Sequence, residues 1–224
     1  MDVYNFLYHL LIWAPSAVLA ITLHEAAHGY VARHFGDTTA YMLGRVTLNP
    51  IKHIDPIGTI VIPLVIGFAT GWRFLFGWAR PVPVNFNNLR HPKRDMFWVA
   101  AAGPMSNLTQ AILWALLAKA LILSGWTSGP AQFWFAVAEA GIAWNVVIAV
   151  FNLFPILPLD GGRMLTSILP DPLAYRFAQL ERYGMVILIG FIVMLALFPP
   201  ARQLFGAIMA SANHLIYSLF GLDQ

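Results

Sequence analysis

The 224-residue chain contains no cysteine, and only 10% of its residues carry charged side chains. The lack of cysteine excludes disulfide bonds and thiolate metal sites. A typical soluble domain has about 25% charged residues, so the low charge argues against a soluble protein. No hydrophilic linker, low-complexity tract or internal repeat interrupts the sequence. We therefore expect one membrane-embedded domain over residues 1–224, with a core at about 4–162 and accessory carboxy-terminal helices at about 183–222.

Hydrophobic residues make up 59% of the chain, and the mean hydropathy is +0.68. Several uncharged runs approach the ~20 residues that cross a ~30 Å hydrocarbon core as a helix. They are 3–24, 96–118, 140–159, 183–201 and 203–222. These runs predict an all-α polytopic membrane protein with five to six hydrophobic helices.

The charge that is present indicates membrane topology. No positive segment precedes the first apolar run, so we expect that run to remain as a span rather than to be cleaved as a signal peptide. The net charge of +3 comes from basic residues beside apolar runs, which is typical of a topology signal and not of a nucleic-acid interface. We expect the lipid bilayer, and no nucleic acid, as a partner.

His24, Glu25 and His28 form an H-E-x-x-H motif inside the first apolar run. On a helix the two histidines lie one turn apart on one face, where both can bind one zinc ion while Glu25 acts on a water. The motif also occurs by chance. However, the flanks 13–23 and 26–32 hold almost nothing that solvates a carboxylate, and an unpaired ionisable group at membrane depth costs several kcal/mol. This setting favours a metal site.

A second cluster of unusual residues follows the run 140–159. Asn152, two prolines, Asp160 and two glycines occur within twelve positions, 152–163. Prolines break a helix and glycines allow an uncommon backbone path, so a carboxylate sits at a helix break. Catalytic zinc takes three protein ligands, and Asp160 is the candidate for the third. The alternative is an ordinary turn, for which Pro-x-Asp-Gly is also suited.

Together the two motifs resemble the site-2 protease family of intramembrane zinc metalloproteases, in its compact form without a PDZ domain. The resemblance rests on His24-Glu25-Ala-Ala-His28 and on Asn152-x-x-Pro155-x-x-Pro158-Leu159-Asp160-Gly161, and it covers roughly 21–162. A third segment, 103–107, is similar to the small-residue motif of the family's middle core helix.

The resemblance implies one zinc ion per chain, bound by His24, His28 and Asp160. It implies Glu25 as the general base, and it places Asn152 near the reacting carbonyl or its oxyanion. The implied substrates are transmembrane segments of other proteins, hydrolysed in or near the membrane.

The ligand positions also predict a topology. His28 and Asp160 lie near the carboxy ends of two runs, so those runs point the same way, with 96–123 antiparallel between them. A further crossing between them would break this arrangement, so the segment 56–72 cannot cross the membrane fully. Its prolines and glycines suit a re-entrant or β-like segment.

With this topology, eleven basic residues lie on the zinc-site side and two, Lys119 and Arg202, on the other. The bias predicts a zinc site near the cytoplasmic side of the cell (plasma) membrane, with the amino terminus outside.

The stretch 77–85 contains two prolines and reads as extended chain. Two roles stay open for it: packing beneath the helices, or an edge strand that pairs with substrate backbone. The stretch 38–48 is rich in strand-favouring residues. His53 belongs to an Asn-Pro-x-x-His sequence that the resemblance includes, and polar packing is its simpler role.

Two other functions remain compatible with a buried His and Asp cluster. A membrane metal transporter needs several acidic or histidine steps along a path. A noncatalytic zinc-binding membrane scaffold needs four protein ligands and no general base. A homodimer also stays open, although no small-xxx-small stripe argues for one.

Overall fold

The computed structural model describes residues 3–71, 77–125 and 129–223, and within these ranges the regular secondary structure is helical, with no strand. The helices are α1 (Val3–His34), α2 (Thr39–Met42), α3 (Ile62–Thr70), α4 (Pro92–Leu123), α5 (Pro130–Asn152), α6 (Asp160–Ile168), α7 (Asp171–Ala178), α8 (Gly184–Leu197) and α9 (Pro199–Phe220). The predicted all-α class is confirmed.

Four of the described helical stretches are long and apolar enough to cross a membrane. They are Leu7–His34, Pro92–Leu123, Pro130–Asn152 and Asp171–Leu197. The chain is therefore an integral, polytopic membrane protein. Many large apolar side chains on these helices are exposed, including Leu11, Leu113 and Val186, as expected where lipid rather than protein covers a helix.

Helices α1, α4 and α5 form the core of the molecule. Ser16 of α1 donates to the Val137 carbonyl of α5, while the later residues of α1 reach Asp160, beyond the end of α5. Helices α1 and α5 therefore run parallel. Helix α4 runs antiparallel to both, because Val99 near its start contacts His28 and its later residue Asn107 contacts the Ala20 carbonyl. This is the arrangement that the ligand positions predict.

The apolar segment after α2 is too short to cross a membrane alone. A π-helical turn at Pro56–Val61 continues into α3, giving a helix of about 22 Å. The Asp55 carboxylate accepts hydrogen bonds from the Ile57 and Gly58 backbone N–H groups and so caps its start. The short helix agrees with the prediction for 56–72. Trp72, the last residue of that segment, lies outside the described residues, and so does Arg73, one of the eleven basic residues assigned to the zinc-site side.

The extended stretch before α4 is tied down at several points without joining a sheet. The Trp78 N–H donates to the Gly58 carbonyl, and the Asn85 N–H donates to the Asp37 carboxylate. Since Pro81 and Pro83 have no N–H, the stretch cannot form a regular ladder. The predicted extended backbone is present, but the β-like expectation is wrong as regards a strand.

The stretch 38–48, although rich in strand-favouring residues, forms no strand, because Thr39–Met42 is a helical turn. The Asp37 carboxylate accepts from the Thr39 backbone N–H and hydroxyl at the start of that turn. Such a local bond competes with sheet formation and overrides the strand propensity of the Thr and Tyr residues.

Helix α9 corrects one part of the predicted topology. Phe205, near its start, packs on Phe154 just beyond the carboxy end of α5. At its other end, the Lys119 ammonium donates to the Gly221 carbonyl. Helix α9 therefore begins on the Asp160 side of the molecule, and Arg202 lies on that side too. The expectation that Arg202 and Lys119 share one end is wrong, because α9 runs from the Asp160 side to the end where Lys119 lies.

Candidate metal centre

Three side chains from two distant parts of the sequence meet inside the helical core. The Nε2 atoms of His24 and His28 lie 3.1 Å apart. The Asp160 carboxylate oxygens lie 3.2 Å from His24 Nε2 and 3.4 Å from His28 Nε2. All three residues are buried, with 6%, 9% and 9% of their surfaces exposed. The structure thus brings together the three residues that the sequence singles out as ligands.

The second ring nitrogen of each histidine fixes its protonation. His24 Nδ1 lies 2.6 Å from Asn107 Oδ1, and His28 Nδ1 lies 2.7 Å from the Val99 carbonyl oxygen. Both partners are acceptors, since the Asn107 amide nitrogen is committed to the Ala20 carbonyl and to Asn145 Oδ1. Each Nδ1 therefore carries a proton, and each Nε2 faces the centre.

The two Nε2 atoms and the Asp160 carboxylate then face one another. Asp160 Oδ2 is buried and has no hydrogen-bond partner among the described residues. Zinc bonds of about 2.0–2.2 Å in tetrahedral geometry separate ligand atoms by about 3.3 Å. The three separations of 3.1, 3.2 and 3.4 Å match that value. The donor set and its spacing fit a zinc ion.

Gly103 on α4 makes room for the two imidazoles. A Cβ at this position would lie 2.5 Å from His24 Cε1 and 2.5 Å from His28 Nε2. Real Cβ atoms do not approach other heavy atoms so closely, so any larger residue would displace both rings. The small residue in the segment 103–107 is therefore required by the close packing of α4 on the two imidazoles.

A chain of buried amides extends from His24 into the core. The Asn107 amide donates to Asn145 Oδ1 at 2.8 Å, and the Asn145 amide donates to the Gly141 carbonyl at 2.8 Å. Both asparagines are completely buried. Reading the sequence for ligands misses these two roles. The available signal is that a polar amide within an apolar span is costly unless it is hydrogen-bonded.

The Asp160 carboxylate reaches the histidines because the chain folds back after α5. Residues 153–159 form tight turns, and Asp160 opens α6. A Cβ at Gly161 would collide with the Leu153 carbonyl, and one at Gly162 would collide with Ile156. The glycines thus permit the close backbone contact that turns Asp160 inward. The turn reading of this motif is confirmed, and the turn places the Asp160 carboxylate beside the two histidines.

Glu25 lies on a neighbouring face of α1, outside the ligand cluster. Its Oε2 accepts a hydrogen bond of 2.7 Å from the Val82 backbone N–H. Arg45, which is buried, interacts electrostatically with Glu25. Burial lowers the pKa of Arg45, nearby Arg80 lowers it further, and the Glu25 carboxylate opposes both effects. A half-buried carboxylate held beside three candidate ligands is well placed to accept a proton.

Asn152 and His53 are not part of the cluster. The Asn152 amide donates to the Ile148 carbonyl of its own helix at 3.0 Å. His53 is 2% exposed, and its Nε2 contacts the Thr47 carbonyl at 2.9 Å. The His53 carbonyl also accepts from the Arg80 N–H. His53 therefore connects parts of the loop region, which agrees with the simpler polar-packing role.

Comparison with known proteins identifies the family. The chain is 41% identical over 204 residues to a Bacillus subtilis protein named "Putative zinc metalloprotease YwhC", covering 87% of this chain and 84% of that protein. The chain belongs to this zinc metalloprotease family. A Mycolicibacterium smegmatis protein named "Putative zinc metalloprotease Rip2" is 30% identical over 180 residues, which span 80% of this chain and 66% of that protein.

The Mycobacterium tuberculosis Rip2 is 29% identical over 210 residues, which span 92% of this chain and 71% of Rip2. No family model matches the chain. No solved structure matches it either. Family membership and the four apolar helices together describe a membrane-embedded zinc metalloprotease.

Proposed function

We propose that the chain is an intramembrane zinc metalloprotease of the site-2 protease type, which hydrolyses peptide bonds in or near transmembrane segments. The observation that carries this proposal is the convergence of His24, His28 and Asp160 within the apolar core, with Glu25 beside them. Two imidazole nitrogens and a carboxylate that are buried together form a donor set suited to a cation, and the adjacent Glu25 carboxylate supplies a base.

In this proposal His24, His28 and Asp160 hold one zinc ion. When bound, zinc makes a water acidic near neutral pH and polarises the substrate carbonyl. Glu25 accepts the proton from the attacking water and delivers it to the leaving amine. The Val82 N–H keeps the Glu25 carboxylate aimed, while Asn107 and the Val99 carbonyl keep the two imidazoles in the ligating tautomer.

We assign Asn152 to the reacting carbonyl or its oxyanion, as the resemblance implies. Its amide now donates to the Ile148 carbonyl, so this role requires a rotation of the side chain toward the substrate. Because an amide N–H stabilises negative charge on oxygen, loss of this group should lower kcat and leave zinc bound.

The proposed substrates are single transmembrane segments of other proteins. The basic residues cluster on the zinc-site side, and Arg202 now joins them, which strengthens a cytoplasmic location for that side of the plasma membrane. Over the described residues, one group of three His and Asp side chains could hold a metal ion. A transporter would need further steps of this kind, and a scaffold would need no Glu25.

Metal content measured by mass spectrometry tests the site without knowledge of a substrate. In detergent-purified wild type we expect about one zinc per chain, lost in His24→Ala and in Asp160→Ala. Glu25→Gln is the matched control, because it alters the neighbouring base but no proposed ligand. It should retain zinc and lose cleavage of transmembrane peptides. Folded wild type without zinc, or zinc binding that persists in Asp160→Ala, would overturn the metal centre. Full cleavage by Glu25→Gln would overturn the mechanism.

A further inference from the structure

We propose that Arg45 is a positioning residue for Glu25, which holds the backbone of residues 80–82 so that the Val82 N–H fixes the Glu25 carboxylate. The proposal rests on the proposed function insofar as Glu25 is the general base. The proposal is based on a series of hydrogen bonds: Arg45 binds the Arg80 and Pro81 carbonyls, and the Val82 N–H that follows them binds Glu25.

The contacts form a continuous path. Arg45 Nη2 donates to the Arg80 carbonyl at 2.8 Å and to the Pro81 carbonyl at 3.3 Å. The next residue, Val82, donates its N–H to Glu25 Oε2 at 2.7 Å. Arg45 is 9% exposed. The buried Arg45 guanidinium thus binds the two carbonyls that immediately precede the Val82 N–H, which in turn binds the Glu25 carboxylate.

The backbone near Val82 has few other means of support. Pro81 and Pro83 flank it, and neither has an N–H to donate. Among the described residues, the Arg80 N–H donates to the His53 carbonyl, and the Val82 side chain packs beside Gly29 of α1. Without Arg45, the orientation of the Val82 N–H depends on that one hydrogen bond and on packing.

Packing near Glu25 depends on the same two chain segments. Gly29, one helical turn after Glu25, lies directly beneath Val46 and Val82. A Cβ at Gly29 would lie 2.9 Å from Val46 Cγ2 and 3.2 Å from Val82 Cγ1. Arg45 and Val46 therefore act together. Arg45 binds the carbonyls of the extended stretch, and Val46 packs with Val82 against α1 at Gly29.

The arginine shows a feature that fold stability alone does not explain. Its buried Nε has no hydrogen-bond partner among the described residues, and an unsatisfied buried donor destabilises a protein. Arg45 Nη2 serves both adjacent carbonyls, and a guanidinium keeps its charge when buried, whereas a lysine ammonium loses its proton more readily there. Loss of Arg45 should leave the ligands intact and leave Glu25 present but poorly aimed.

The test compares Arg45→Gln, Arg45→Lys and the control Arg80→Gln. The control removes the same charge from the exposed side chain of Arg80, whose contribution to this path is its backbone carbonyl. Backbone amide exchange at Val82 is measured by mass spectrometry in zinc-free and zinc-loaded protein. In Arg45→Gln we expect the Val82 amide to exchange about tenfold faster, because roughly one charge-assisted hydrogen bond is lost. In Arg80→Gln we expect no change.

Cleavage is followed with a single-span transmembrane peptide that carries a fluorophore and a quencher and that wild type cleaves. For Arg45→Gln we expect kcat to fall about tenfold with KM and zinc content unchanged. Arg45→Lys should recover part of that loss. If Arg45 acts through the Val82 N–H, the double variant Arg45→Gln/Val82→Pro should lose no more kcat than Val82→Pro alone.

Unchanged amide exchange and unchanged kcat in Arg45→Gln would overturn the proposal, as would an equal effect in Arg80→Gln or losses that multiply in the double variant. Should Arg45→Gln fail to fold, as judged by lost zinc, Arg45→Lys decides by the same two measurements. Failure of the proposed function looks different, since Glu25→Gln would then cleave the peptide as wild type does while Val82 exchange still responds to Arg45.

Discussion

Two faces of α1 flank the proposed reaction site, and they are built in different ways. The face with His24 and His28 packs against α4, where each imidazole has a fixed partner, Asn107 Oδ1 or the Val99 carbonyl. The face with Glu25 and Gly29 is covered by non-helical chain that contributes Val46 and Val82. Helix packing thus holds the metal-binding half rigidly, while the proton-transfer half depends on a few contacts from an extended loop.

The comparison implies that each half can be damaged separately. Changes on the α4 side should alter zinc affinity first, and activity only as a consequence. Changes on the loop side should alter kcat while zinc remains bound. Three substitutions test this separation, and a fourth tests how the loop region is stabilised.

Gly103→Ala should have the largest effect. The added Cβ would overlap both imidazoles, and we expect zinc affinity to fall about 100-fold because overpacking by one methyl costs up to 3 kcal/mol. Competition with a chelator, read by mass spectrometry, measures it. Gly190→Ala is the matched control, since a Cβ there meets nothing within 4 Å. Unaltered zinc affinity in Gly103→Ala would contradict the close fit of α4 to the ligands.

Val82→Pro should lower kcat about 30-fold, because it removes the N–H that fixes the Glu25 carboxylate. Zinc content should stay at the wild-type value. Val82→Ala keeps the N–H and removes most of the side chain, so it separates the hydrogen bond from packing. If both variants lose the same activity, packing and not the N–H is the important contact.

Asn107→Ala should weaken zinc binding about tenfold, since His24 loses the acceptor that sets its tautomer. Asn213→Ala is a suitable control, because Asn213 also lies on an apolar helix but donates only to the Met209 carbonyl of that helix. Chelator competition in both variants checks the difference. Equal affinities would mean that Asn107 stabilises the fold without orienting the ligand.

Asp37→Asn should have the smallest effect, a loss of about 1 kcal/mol from the loop region. Burial alone would raise the pKa of Asp37, but hydrogen bonds from Thr39, Asn85 and Asn88 outweigh it and hold the pKa below 3.8. The stabilisation is therefore present above pH 3.8, and it disappears as the pH falls through the lower pKa of the folded state.

Thermal unfolding of zinc-free protein across this pH range measures the effect of Asp37→Asn. The gap between wild type and the variant should close in acid. Asp171→Asn serves as the control, because Asp171 is 89% exposed in its pair with Lys93 and such surface pairs contribute little. A gap that persists at the lowest pH would show that the Asp37 charge is not responsible.

Much of the helical core was predictable because its signals are local or periodic. Long uncharged runs indicate helices wherever they occur, so α1, α4 and α5 follow from composition and length. The parallel arrangement of α1 and α5 follows from one further requirement, that His28 and Asp160 reach a common ion. Where the sequence pattern was misleading, as at Thr39–Met42, a single side-chain hydrogen bond from Asp37 decided the local conformation.

The sequence by itself determined the ligand types, their order and the apolar setting, because a carboxylate and two histidines in lipid-facing runs require a partner wherever they lie. Only the tertiary structure decided that Asn107 Oδ1 and the Val99 carbonyl accept hydrogen bonds from the outer ring nitrogens, that Arg202 lies on the zinc-site side, and that Val82 binds Glu25. These contacts join residues far apart in the chain, and two of them use backbone atoms, which are the same in every residue. Their pairing is therefore set by how the helices and loops pack.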